Sequence, residues 1–439
     1  MRKAILLIVL ALVLCVHGTI WAMDDFDDLF WDDLFVELDE NEMAAKPEEA
    51  LLVQDGWDLG GTYRFSVNAS RTLARGADPV DNFGANLGGQ LYLDARPDPN
   101  LRVFAKVGWS YAVSRHTGEG DQAQDPFNLS LQELFSDFNH NNKVFFRAGK
   151  QNVKWGVGYF FSPADVISIG RINPLEPEAD REGPVAFKIH YPKGSNNYYL
   201  YTLFDGVKKP TEVALAPRME FVLGKTEFGL GGFYQQGRIP RAMLTVSSSL
   251  GDLGFFGEAV LSYGSDRGFL EDRGLFYEIV NKDGCFLQAT AGGMYSSKDR
   301  DGLFNFTGTL QYYFNGEGYS DQEAIQQVRL ALSKGQLPPV INPDKLGALG
   351  LLNSGRHYLA GAVSWNQILG SKFSVASFLQ LNLSDGSGIM TSTLSLPSVS
   401  KISPSVGVSF NFGKGGTEFG MFGPNTAVFA AVTLGSGSF

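Results

Sequence analysis

The residues with chemical reach in this sequence are thinly spread, and they point to the sorting of charge more than to catalysis. Beyond residue 22 there are four histidines, His116, His140, His190 and His357, and none stands at a metal-ligand spacing. No Gly-x-Ser-x-Gly turn presents a nucleophile, and Cys285 is the one cysteine past residue 22, so an internal disulfide has no partner there. A hydrolase with catalytic groups far apart in sequence is the enzymatic alternative. The reading taken is a non-enzyme with no cofactor, no metal and no nucleic-acid partner, because no basic patch is present. Two sets of charged residues remain. Arg64, Arg102, Lys106, Arg147, Lys188, Glu258 and Arg356 each fall at a polar position of an alternating segment. They either line a passage or are simply solvated. Lys154, Trp155, Asp165, Arg171, Asp180, Arg181 and Glu182 crowd into one stretch, where opposite charges across a narrow opening would set a transverse field.

The segments that carry these residues have a period of two. Trp57, Leu59, Gly61, Tyr63, Phe65 and Val67 alternate with Asp58, Gly60, Thr62, Arg64, Ser66 and Asn68. Leu101 to Tyr111 and Phe304 to Tyr312 repeat the pattern. Val185 to Tyr191, Leu253 to Tyr263, Cys285 to Tyr295, Phe373 to Leu383 and Ile402 to Phe412 follow it too. Tight-turn chemistry stands at Pro97–Asn100, Asn139–Asn142, Pro192–Asn196, Gly224-Lys225 and Gly251-Asp252. Between these turns lie the long stretches 113–127, 152–184, 265–284 and 315–354, the last with a short helix expected from Asp321 to Lys334. Short and long connections therefore alternate, as in a transmembrane antiparallel up-and-down β-barrel with short periplasmic turns and long outer loops. Parity then decides the count. Taking Leu275 to Val280 as a strand of the wall gives nineteen; assigning it to an outer loop gives about eighteen, the even number that puts both ends on one side.

Composition agrees, with 52 Gly, 34 Phe and 16 Tyr in 439 residues and no apolar run past residue 22 long enough for a membrane helix. Residues 1–22 read as an export signal: Arg2 and Lys3, an apolar run from Ala4 to Val16, and Ala22 before the cut, with Ile20 bulkier than is usual there. A lipoprotein reading through Cys15 is disfavoured by Leu14. Residues 23–55 form an acidic, aromatic periplasmic lead-in in which Asp27-Asp28-Leu29-Phe30 recurs as Asp32-Asp33-Leu34-Phe35. Of the 47 acids, twelve lie in 24–49. At that density like charges repel, which favours disorder or partial helix over a strand. The barrel is assigned to 56–439, where the charge is nearly balanced. The chain ends in Phe439, as many outer-membrane barrels do.

The run Gly149-Lys150-Gln151 to Trp155-Gly156, then Pro163-Ala164-Asp165 and Gly183-Pro184, resembles the motif region of monomeric, roughly eighteen-stranded outer-membrane porins related to alginate-export channels. The lead-in is similar to that of spirochaete barrels. The resemblance covers about 60 residues and implies a monomer, inserted by the barrel-assembly machinery into outer-membrane lipid, that passes small hydrophilic solutes, anions included. It carries no solute across. The stretch from Asn152 to Pro184 is expected to fold into the lumen as the constriction, facing a positive wall of Arg64, Arg102, Lys106 and Arg147. Two other readings stay open: a structural or adhesive barrel with surface loops, and a transporter of hydrophobic compounds.

Overall fold

Strands that alternate apolar and polar residues have one face for lipid and one for water, and in lipid only closure leaves no unpaired edge. The computed structural model describes residues 56–74, 78–116, 126–168, 182–298, 305–319, 322–421 and 425–439. The expectations for the signal and the lead-in concern residues outside this set. The first wall strands are β1 (Gly56–Ala74), β2 (Val80–Asp98), β3 (Leu101–His116), β4 (Phe127–His140), β5 (Val144–Lys150) and β6 (Val185–Lys193). Then come β7 (Asn196–Leu203), β8 (Ala214–Leu223), β9 (Thr226–Phe233), β10 (Arg241–Leu250) and β11 (Leu253–Tyr263). A small hairpin, β12 (Phe269–Asp272) and β13 (Tyr277–Val280), forms a separate two-stranded sheet. The wall resumes with β14 (Cys285–Lys298), β15 (Asn305–Asn315), β16 (His357–Asn366), β17 (Ser374–Asn382), β18 (Ser387–Ser395), β19 (Ser403–Phe412) and β20 (Asn425–Ser438).

Eighteen strands pair antiparallel with their sequence neighbours, and β1 pairs with β20 from Thr62 opposite Ser438 to Ala74 opposite Asn425. The sheet is closed. The segment Leu275 to Val280 belongs to the small hairpin, outside the wall, so the count of about eighteen holds. Outward positions carry an apolar belt, with Leu200, Leu215, Leu230, Leu244, Leu261, Leu287 and Leu310 all exposed at the places where lipid would lie. Strands of 10 or 11 residues, such as β8, β10 and β11, match the ~9–11 that cross a bilayer when tilted. With 19 residues each, β1 and β2 exceed that.

The rim at which β1 begins and β20 ends has the tight turns. Asn141 and Asn142 take φ of 53° and 52° between β4 and β5, a left-handed conformation that Asn tolerates better than most residues. The far rim has the long connections. The connections 75–79 between β1 and β2 and Leu383 to Gly386 between β17 and β18 depart from the alternation, and in the latter Ser384 and Asp385 accept from Arg356 N and Glu418 N of neighbouring loops. The expected helix is present as α1 (Glu323–Ser333), with Ile325 and Val328 buried, and it stops before Gly335 at φ 64°.

Candidate functional site

The connection from β5 to β6 leaves the wall at Gln151, whose backbone N–H donates to Pro184 O at 3.1 Å while its side chain donates to Ala186 O at 3.1 Å. It then turns inward. Val153, Trp155, Ala164 and Ile167 are buried against inward-facing Tyr201, Ala216, Phe233, Met243 and Val260 of β7 to β11. The Trp155 ring meets Tyr201 edge-on at 5.5 Å, its backbone N–H donates to Asp165 Oδ1 at 3.2 Å, and Arg218 Nη1 donates to its carbonyl at 2.6 Å. Farther along, Glu258 of β11 accepts from Val157 N and Gly158 N, each at 2.6 Å, from Ser162 Oγ at 2.9 Å, and from Ala164 N at 2.8 Å. Gln311 of β15 accepts from Tyr159 N at 3.1 Å and Phe160 N at 2.7 Å, and donates to Phe161 O and Thr290 Oγ1, both at 2.6 Å. Finally Phe160 packs on Phe378 of β17 at 5.4 Å, and Phe161 on Tyr313 and Tyr358 at 5.1 and 5.8 Å. In a ring of eighteen strands, β16 lies nine places from β5, so the loop crosses the lumen to the opposite wall.

Glycine makes this approach feasible. A Cβ on Gly156 would collide with Ser162 Oγ and Glu258 Oε1, and one on Gly158 with Phe161 O and Gln311 Nε2. Among the residues expected in the loop, Lys154 is exposed, Trp155 is buried, and Asp165 braces the loop through Trp155 and Ser168. Glu182 pairs with Lys150 at 2.5 Å. Arg171, Asp180 and Arg181 lie outside the described residues.

The inward face of β2 to β5 carries a charge row. Asp94 accepts from Arg102 at 2.9 and 3.0 Å and pairs with Arg96 at 3.1 Å; Asp137 accepts from Arg147 at 2.6 and 2.9 Å and from Arg102 at 3.4 Å. Phe135 lies between the two guanidinium groups, 5.7 Å from Arg102 and 3.9 Å from Arg147. Three arginines therefore face two aspartates. Arg102 and Arg147, expected in a positive wall, are thus each paired with carboxylates across the ladder, on which alternation along one strand is silent. Arg64 and Lys106 are half-buried on the same side, and Lys188 sits 5.5 Å from the Tyr199 ring. Arg356 precedes β16 in the far-rim loop and is half-buried. Glu258, expected beside these as a lining residue, is buried beneath the crossing loop.

The far-rim loops form a second assembly. Ile279, Ile325, Val328, Val340 and Leu349 bury one another, joining β13, α1 and the stretch before β16. Arg267 donates to the carbonyls of Asn353, Gly350 and Leu352 at 2.7, 2.9 and 3.1 Å. Arg329, 0 % exposed, donates to Leu351 O and Ser354 Oγ and pairs with Asp385 at 3.4 Å and Glu418 at 3.5 Å. Glu418 also accepts from Tyr358 Oη at 2.7 Å, Asn382 Nδ2 at 2.8 Å and Asn353 N at 2.8 Å. Burial raises the Glu418 carboxyl above its usual range, against the opposing pull of Arg329. Sequence patterning pointed to neither Arg329 nor Gln311, although Gln311 already stood on the polar side of its strand.

No protein-family model matches the chain, and no curated protein does. Among solved structures it is similar to the outer membrane protein opdK from Pseudomonas aeruginosa, at 9% identity and a TM-score of 0.47, over 87% of this chain and 99% of that one. It is similar to OccAB1 of Acinetobacter baumannii at 11% identity and a TM-score of 0.48, covering 87% and 97%. The outer membrane protein OprD from Pseudomonas aeruginosa is similar at 8% and 0.45, covering 87% and 94%. The narrower resemblance to alginate-export channels and spirochaete barrels gains no support from these matches. The chain's own strand count and topology carry the coarser one: it is a closed eighteen-strand antiparallel β-barrel.

Proposed function

We propose that this barrel is an outer-membrane channel through which small hydrophilic solutes, anions among them, diffuse passively. Residues 1–22 direct export, 23–55 lie in the periplasm, and the barrel-assembly machinery inserts 56–439 as a monomer into outer-membrane lipid. The observation that supports this most is the loop after β5, which crosses the lumen and is held on the far wall by Glu258, Gln311 and the Phe160 and Phe161 rings. A loop so placed narrows a passage, and the charged groups of β1 to β6 on the other side are positioned to sort what enters. The small positive excess of Arg96, Arg102 and Arg147 over Asp94 and Asp137, with Lys106 and Lys188 nearby, favours anions weakly.

Purified protein in planar bilayers tests the reading. Discrete conductance steps are expected, and a variant lacking residues 157–180 should conduct more per channel than the intact chain. Absence of any steps from heat-modifiable protein would sink the channel reading. It would favour the adhesive alternative, which finds support in the exposed Leu275, Phe276, Leu337 and Ile341 on the far-rim loops.

A further inference from the structure

Resting on the channel reading, the way the crossing loop is held has a consequence for how the opening is set. Glu258 gathers four donors: Oε1 accepts from Val157 N, Gly158 N and Ser162 Oγ, and Oε2 accepts from Ala164 N. All four are neutral. All four belong to the loop, and none belongs to the wall that carries Glu258. A buried carboxyl group held by neutral donors depends on those donors staying in place, and they depend on it for an acceptor. Next to it, Gln311 takes the following three backbone N–H groups, of Tyr159, Phe160 and Phe161. Six consecutive residues, from Gly156 to Phe161, thus pass two wall side chains with glycines at 156 and 158, where a side chain would block the contact.

We propose that Glu258 is the positioning residue of the constriction: by accepting the donors of the 157–164 turn it fixes the loop as a stationary partition and so sets the aperture. Removing the carboxylate leaves three backbone N–H groups without an acceptor, and they reach for water by pulling the loop off the wall. The opening then widens and fluctuates.

The test uses the full chain with Glu258→Ala and Glu258→Gln. Glu258→Gln keeps the volume but turns an amide donor toward N–H groups. The control is Glu271→Ala on the exposed hairpin β12–β13. Single-channel conductance should rise about 1.5-fold in Glu258→Ala, with added open-channel noise, and less in Glu258→Gln, while the control matches the unaltered chain. Trypsin should cut after Lys154 in Glu258→Ala and spare the unaltered chain. If both variants are heat-modifiable and keep the original conductance, noise and trypsin resistance, Glu258 does not set the aperture. If neither variant gives a heat-modifiable barrel, the proposal fails as well, since the residue would then serve the wall and not the loop. If the unaltered chain does not conduct, the channel reading fails by itself, and cleavage after Lys154 still decides whether Glu258 holds the loop.

Discussion

Glu258 and Glu418 each hold several loop donors, and their surroundings differ. Glu418 is buried among Arg329, Asp385 and Tyr358, and its carboxyl is raised above the ordinary 4.5. The folded loop assembly therefore binds a proton more readily than the open one does. Its stabilisation is complete below about pH 4.5 and is lost as pH rises through the raised value. Proteolytic nicking of 335–341 should accordingly become faster from mildly acid to alkaline buffer, and Glu418→Gln should flatten the dependence; a pH profile unchanged in that variant would assign it elsewhere. The charge row behaves otherwise. Replacing Arg102 and Lys106 together by Gln frees Asp94 and Asp137 from part of their compensation, so the wall turns negative and reversal potentials under a salt gradient should move toward cation preference without loss of the barrel. Alternation put Arg102 and Lys106 on the polar side of β3. It could not show that Asp94 and Asp137 sit within reach, because ladder partners come from register, which side-chain periodicity along one strand does not contain.

At the scale of elements, the loops divide into one that enters the lumen and a group that packs on itself. The first was legible as a loop: its length, its charges and its Trp-Gly and Gly-Pro pairs set it apart from a turn. Its entry into the lumen was expected on those grounds, but its anchoring on the far wall was not, since that depends on Glu258 and Gln311, one expected only to line the passage and the other a plain polar strand residue. The second group was read as separate stretches and a helix, yet Arg329 of α1 binds acids from the β17–β18 turn and the loop after β19. Arg329→Met leaves Asp385 and Glu418 buried together without their cation, which costs about 3–5 kcal/mol by analogy with other broken buried pairs. Limited proteolysis should therefore open 316–356 in Arg329→Met while the wall stays heat-modifiable. Equal protease resistance in the two proteins would show the apolar cluster around Ile325 and Val328 to be sufficient.

For the whole molecule, period-two alternation and an even strand count were enough to give closure, and parity correctly placed 275–280 outside the wall, because these follow from the bilayer more than from any single contact. Deleting 24–49 should leave a heat-modifiable, protease-resistant barrel that alkaline carbonate does not extract, as the twelve acids there offer no lipid-facing strand. Loss of the folded form on deletion would tie the lead-in to the wall. The seam has a further effect. Gly61 and Phe439 exchange both backbone hydrogen bonds, N–H of each to O of the other at 3.1 and 3.0 Å, and β1 has no other partner on that side than β20. Those two strands are the most distant in sequence that the sheet joins, so the contact that seals the ring is also the one with the greatest loop-closure entropy. Until β20 arrives, β1 presents an open edge along its length, a template for any other strand nearby. The time the nascent chain spends unsealed, more than the stability of the finished ring, then sets how much of it is lost to aggregation, and mutations that slow the arrival of β20 should reduce yield without weakening the barrels that do form.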